Sequence, residues 1–440
     1  MKVNLCIMII SLFALVANSF SEIPGSTLGT ATQRELEARA LRVFASPEVQ
    51  ERQEMLRSVY ANDPVAKTEA GASTLDAALD SITMAMVLWA VNDDPARPKL
   101  FWSNTAAHEW MGLQFPNSGY GIENPDNVYR HAPLDGRSRY EIRGVMPANP
   151  PAQQSFTLYA TLPGTGKMNR EGSSILGALD RVVTAGDGSF TVTIDRDPAD
   201  GRPNHIQSGE KTALLIIRDS LTNWETQDPG PLTIHRVSGP PPGPPFCESM
   251  MAMRAASLMQ STVPFWADYN NALVYPRAVN TVGAPKRRGG GWGYGMTGHF
   301  DLASSQGLVV TLDPKDASYL GFQLADPWGV GLEYVHRSGS ISLAQAEKNA
   351  DGTVTYVIAS TDPGVYNWLD TSGLDRGIFA IRWQDVPAEV TSAEGMVRSS
   401  SVVSLADLRA VLPAGTRWVN AGEREQQRDA RRRSFEKRLQ

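Results

Sequence analysis

Residues 352–384, GTVTYVIASTDPGVYNWLDTSGLDRGIFAIRWQ, decide the fold class of this chain. The segment 353–359 is dense in β-branched and aromatic side chains, which suit a pleated, half-buried surface. Asp362-Pro363-Gly364 stops that strand, because proline fixes φ and glycine accepts a positive one. A short aromatic segment at 365–369 leads to a second turn at Ser372-Gly373. Residues 377–383 then read as another strand, with Phe379, Ile381 and Trp383 on one face. Two strands joined by a polar, tryptophan-bearing loop predict the centre of a β-sandwich.

Composition bounds the rest. The chain has 440 residues, 42% hydrophobic and 20% charged, enough to bury one large domain or two modest ones. A formal net charge of −6 argues against nucleic acid and anionic membrane surfaces as partners. Residues 1–21 have the layout of a secretory leader: Lys2, an apolar run over 5–17, then small residues at Ser19 and Ser21. No second long apolar run follows. The expectation is a periplasmic or secreted protein with no transmembrane anchor in the mature chain. Of the 2 cysteines, Cys6 leaves with the leader, so Cys247 has no internal disulfide partner and is expected as a buried small hydrophobe.

Outward from the deciding stretch, residues 22–94 read as helical. Thr32 with Glu35 resembles a capping box, Ser46-Pro47 is a second start, and 75–91 is apolar nearly all round. Residues 95–237 switch to short strands. Asp135-Gly136 predicts a hairpin between 128–134 and 139–146, and Gly186-Asp187-Gly188 predicts another. Residues 238–262 hold the stiff SGPPPGPP connector and a Met-rich helix. A second β region covers 263–404, and 405–440 ends in a highly charged helix that lacks an apolar stripe and is expected to be solvated or loosely docked. The fold class is therefore mainly β with an N-terminal helical segment, an antiparallel jelly-roll-like β-sandwich formed from one or two β regions.

Three phrases, NPDNVYRHAPLDGRSRYEIRG (124–144), FQLADPWGVGLEYVHR (322–337) and DPGVYNWLDTSGLDRGIFAIRW (362–383), resemble the bacterial domain-of-unknown-function family twelve-fourteen. The last two are similar to its C-terminal region and the first to the segment found upstream. The resemblance implies a β-rich, jelly-roll-like sandwich. It brings no established activity, cofactor or catalytic set.

Chemical motifs fail one by one. There is no Gly-x-Ser-x-Gly elbow, and His108-Glu109 lacks a second His for a zinc helix. Thr161 stands where a phosphate loop would need glycine before Gly164-Thr165-Gly166-Lys167. The 195–201 run has its glycine one place late for a calcium loop, and no Glu closes it. The 6 histidines show no metal spacing; His131 and His235, on predicted strands, are the ones to inspect. No metal or cofactor is indicated. The 286–295 loop, KRRGGGWGYG, reads either as a lid carrying Trp292 and Tyr294 or as a flexible crossing.

One constellation remains at strand ends: Gln323, Asp326 and Trp328 with Asn367, Trp368, Asp370 and Arg376. Two carboxylates, an Arg and two indoles can grip a sugar or a polar-ended apolar molecule. The same groups also serve as turn caps, an ion pair and sandwich plugs. The expected function is small-molecule binding. An envelope hydrolase or lyase using Asp370 or a histidine, and a cell-surface interaction protein, are the alternatives.

Overall fold

The computed structural model describes residues 23, 25–165, 175–289 and 293–440. The leader, Gly166-Lys167 and Trp292 lie outside the described residues.

Helix α1 (Ala31–Phe44) starts at Thr30, whose hydroxyl accepts the Gln33 N–H at 3.1 Å, two residues before the expected cap. Ser46-Pro47 opens α2 (Pro47–Ala61) as expected. Helix α3 (Glu69–Val91) begins earlier than its apolar stretch, because Thr68 caps the Gly71 N–H. Among the described residues α3 is the one helix long and apolar enough to cross a membrane. Burial explains that girth: it packs among α1, α2 and α4 (Glu248–Tyr269), and this helical layer lies on the first sandwich through Phe101, Tyr159, Leu214 and Ile216.

The first sandwich contains β1 (Phe101–Ser103), a small hairpin β2 (His108–Trp110) and β3 (Leu113–Phe115) beside it, then β4 (Asn127–Pro133), β5 (Arg139–Val145), β6 (Gln153–Tyr159), β7 (Ile175–Leu179), β8 (Ser189–Asp195), β9 (His205–Gln207), β10 (Leu214–Ser220) and β11 (Leu232–Ser238). Its sheets have the orders β1-β4-β10-β6-β7 and β11-β5-β8-β9. Leu134, Tyr140, Ile142, Phe156, Val192 and Leu215 meet between them. The expected hairpins at 134–137 and 186–188 are corrected here: β4 and β5, and likewise β7 and β8, lie in opposite sheets. The turn at Asp135 rounds a corner, so that inward side chains on both sides of it enter one core.

The second sandwich contains β12 (Lys286–Arg287), β13 (Tyr294–Asp301), β14 (Gln306–Leu312), β15 (Tyr319–Ala325), β16 (Ser340–Ser342), β17 (Val354–Ala359), β18 (Trp368–Asp370), β19 (Arg376–Gln384) and β20 (Val397–Ser404). Its sheet orders, β12-β13-β19-β15-β16 and β18-β17-β14-β20, repeat the first sandwich strand for strand. Even the parallel pair recurs, β8 with β9 and β17 with β18. The two β regions are thus two sandwiches of one topology, each with its own core. The repeat is visible in sequence once sought. DGSFTVTI (187–194) matches DGTVTYVI (351–358), and in each copy an Arg, Arg218 or Arg382, lies 30 residues after the glycine.

Three features differ from expectation. The Met-rich helix runs to Tyr269 and continues as a π-helical turn over Asn270–Val274, so the second β region starts at 286 rather than 263. Cys247 is half-buried at the start of α4, not a core residue. After a short α5 (Leu408–Val411), α6 (Ala421–Glu436) is firmly docked. Phe435 is 2% exposed against Trp224 and Tyr334, and the Arg431 and Arg438 guanidinium groups each lie 4.3 Å from the Trp224 ring centroid. The helix lacks an apolar stripe because arginine stems and cation–π contacts do the packing.

Candidate anion-binding cavity between the sandwiches

Strand alternation aims the site. In β10, Leu215 and Ile217 face the core, so Ile216 and Arg218 face outward. In β19, Phe379, Ile381 and Trp383 face inward, so Arg382 and Gln384 face outward. Arg218 sits between Tyr129 and Ser155 on the neighbouring strands; Arg382, its counterpart, sits between Gly295 and Gly321. The two arginines reach one cavity of 140 Å³, and Arg288 from the loop after β12 joins them.

The Arg218 and Arg382 guanidinium groups are held in place. Arg218 donates to the Tyr159 hydroxyl at 3.1 Å and lies 5.6 Å from the Tyr129 ring centroid. Arg382 donates to the Ile122 carbonyl at 2.6 Å and to the Gln323 side-chain oxygen. Burial pulls Arg288 down to about 10, and repulsion from Arg382 and Arg218 adds to it. Gathering like charges at a partly dry site costs the fold free energy, and a bound anion would relieve that cost.

Aromatic groups form the apolar walls. Trp266 of α4 lies across Gly121 and Gly164, both at positive φ. A Cβ there would stand 2.6 Å and 2.4 Å from the indole. The Trp266 N–H is buried without a hydrogen-bond partner among the described residues. Trp89 stacks on His131 with ring centroids 3.7 Å apart. Burial pushes His131 down to about 3, against a backbone hydrogen bond at Leu88, so the ring is neutral, with Nδ1 2.8 Å from the Ser103 hydroxyl. Glu123 is the one carboxylate on the described wall. Its Oε1 accepts the Gly331 N–H at 2.8 Å, and its Oε2 has no partner among the described residues. Burial raises Glu123 to about 7, outweighing the Gly331 bond and the attraction of Arg382.

The residues singled out from sequence are not gathered into one site. Asp326 caps its own turn, accepting the Trp328 and Val330 N–H groups, and burial lifts it to about 7. Trp328 stacks on Tyr60 at 4.3 Å and donates to the Gly71 carbonyl. Asn367 ties β17 to residue 347 through the Thr355 and Glu347 carbonyls. Trp368 is 3% exposed and donates to the Ala359 carbonyl. Asp370 faces Arg337 and accepts the Ser372 N–H, and Arg376 pairs with Asp301 rather than with Asp370. None of the seven lines the cavity. Gln323 alone touches it at second hand, through Arg382. Of the two histidines to inspect, His131 is on the wall and His235 is exposed on β11. In the 286–295 loop, Tyr294 is core, 3% exposed, and not part of a lid. Among the described residues no three His, Cys, Asp or Glu side chains gather as a metal site requires.

Two sandwiches of one topology, with a helical layer on the first and a guanidinium-lined cavity between them, define the class of this protein. Residues 126–219 match the family described as protein of unknown function DUF1214. That segment is the first sandwich from β4 to β10. It holds most of the first family-like phrase, while the phrases at 322–337 and 362–383 lie outside it. No curated protein matches the chain. The crystal structure of an uncharacterized protein from Burkholderia cenocepacia is similar, with 24% identity and a TM-score of 0.66, covering 84% of this chain and 100% of that one. That likeness establishes the shared fold. A Vibrio parahaemolyticus protein covers 74% of this chain and 96% of its own at 12% identity and a TM-score of 0.40.

Proposed function

We propose that this is an exported protein that binds a small anionic molecule with an apolar body, a carboxylate or phosphate ester, in the cavity between its sandwiches. The observation that carries the reading is the convergence of Arg218 and Arg382, from equivalent strands of the two repeats, with Arg288 on one aromatic-walled space. Guanidinium groups suit carboxylate and phosphate through paired N–H donors, and Trp89, Trp266 and Ile122 suit an apolar body. Of the sugar and the polar-ended apolar ligand expected from sequence, this reading takes the second and proposes a different place for it. Export rests on the layout of residues 1–21.

The test is calorimetric titration at low ionic strength with hexanoate, benzoate, a phosphate monoester and a neutral hexose. Acids should bind, and Arg382→Met should weaken them about 10- to 100-fold, the worth of one charge-assisted hydrogen bond. Binding of the hexose alone, or acid binding untouched by the substitution, refutes the reading. Recovery of the full chain, still carrying Met1, only from the cytoplasm of the producing cell refutes export.

Glu123 favours a second reading, an envelope hydrolase or lyase. A wall carboxyl raised toward neutrality, with one oxygen unpartnered among the described residues, has the attributes of a general acid or base. Under that reading Glu123→Gln binds the ligand and fails to turn it over.

A further inference from the structure

The cavity is not the end of the basic surface. Beyond Gly121, Ile122 and Trp266, which line both spaces, lies a second groove of 330 Å³. Arg288 and Arg382 also stand in both. The outer groove adds Arg277, Lys286 and Arg287 and has no carboxylate among its described lining residues. This concentration of cations is unusual for a chain of net charge −6.

These outer cations are positioned but not neutralised. Pairing of β12 with β13 sets Lys286 opposite Gly295 and Arg287 opposite Tyr294. Arg287 lies 5.6 Å from the Tyr294 ring centroid, and Arg277 donates to the Thr297 carbonyl. None of Arg277, Lys286 and Arg287 forms an ion pair among the described residues, although Arg or Lys side chains meet carboxylates in 24 pairs elsewhere in the described structure. Where most exposed arginines of this protein find a carboxylate, these do not.

We infer that the outer groove is a second anion subsite, and that the ligand is an elongated dianion. One acidic end sits with Arg218 in the cavity, the apolar middle passes Ile122 and Trp266, and the other acidic end meets Lys286 and Arg277. The inference rests on the proposed anion-binding role of the inner cavity and adds the ligand's second charge and its length.

The experiment compares adipate with hexanoate, molecules of equal chain length that differ by one carboxylate, by calorimetry on the full mature chain. Adipate should bind about tenfold more tightly, the gain expected from one partly exposed charge-assisted contact. The double variant Arg277→Ala/Lys286→Ala should remove that advantage and leave hexanoate affinity within about twofold. Two results overturn the inference alone: hexanoate and adipate binding the wild type equally, or the double variant weakening both acids to the same degree, which a general field would do. Failure of hexanoate and adipate alike to bind the wild type overturns the inner-cavity reading, and this inference with it.

Discussion

Glu123→Gln isolates the protonation chemistry of the cavity. In the folded protein burial raises the Glu123 carboxyl from 4.5 to about 7. Between those values the native state binds a proton that the unfolded chain releases, so stability falls as pH rises from about 4.5 to about 7 and levels off above. A shift of that size corresponds to about 3 kcal/mol, at about 1.4 kcal/mol for each pH unit. Glutamine keeps the oxygen that accepts the Gly331 N–H and cannot ionise. Its amide N–H groups sit where Oε2 has no partner among the described residues, and cost about 1–3 kcal/mol, but that cost does not vary with pH. The quantity to read is therefore the change in the variant-minus-wild-type difference between pH 4.5 and pH 8. Asp326 shares part of the slope: it too is raised to about 7, with Glu123 among the causes, so the variant retains a smaller pH dependence. Urea denaturation followed by tryptophan fluorescence across that range supplies the curves. The difference should move by about 3 kcal/mol in favour of the variant as pH rises. Parallel curves would mean that Glu123 is ionised normally in the fold, and would remove it as a proton-holding group of the site.

Other outcomes follow from the packing. Phe435→Ala should cost about 3–5 kcal/mol, and deletion of residues 431–440 at least as much, because both strip the Trp224 cluster; thermal melts check this, and an unchanged midpoint would refute docking of the tail. Trp368→Ala should also cost about 3–5 kcal/mol while leaving anion affinity alone, since the indole is core and bonded to the Ala359 carbonyl; intact stability with lost binding would return it to a ligand face. Gly121→Ala should destabilise by about 1–2 kcal/mol and weaken anion binding, since its positive φ disfavours a side chain and its Cβ would press on Trp266; circular dichroism melts and titration read the two effects.

Local chemistry in the sequence determined a good deal. Alternation such as Phe190, Val192 and Ile194 marks strands and their core face without any tertiary information, because the side-chain period of a strand is 2. Ser46-Pro47 places a helix start, and the deciding stretch at 352–384 does hold β17, β18 and β19. What it could not determine was where a turn sends the chain. Asp135-Gly136 is compatible with a hairpin or a corner, and only the shared core of β4 and β5 selects the corner. The charged tail looked solvated because nothing in it announces Trp224, more than 200 residues away, as the partner for Phe435, Arg431 and Arg438. The strand-end constellation at 323–376 was legible as polar groups, but caps, ion pairs and ligand contacts use the same residue types. Arg218 and Arg382 could have been found through the repeated DG-to-Arg spacing of 30 residues, yet that spacing names equivalent positions without saying that they meet. Their convergence depends on how two sandwiches pack around α4 and the loop at Gly121. Packing of that kind is set by long-range burial, which periodicity and turn chemistry do not encode.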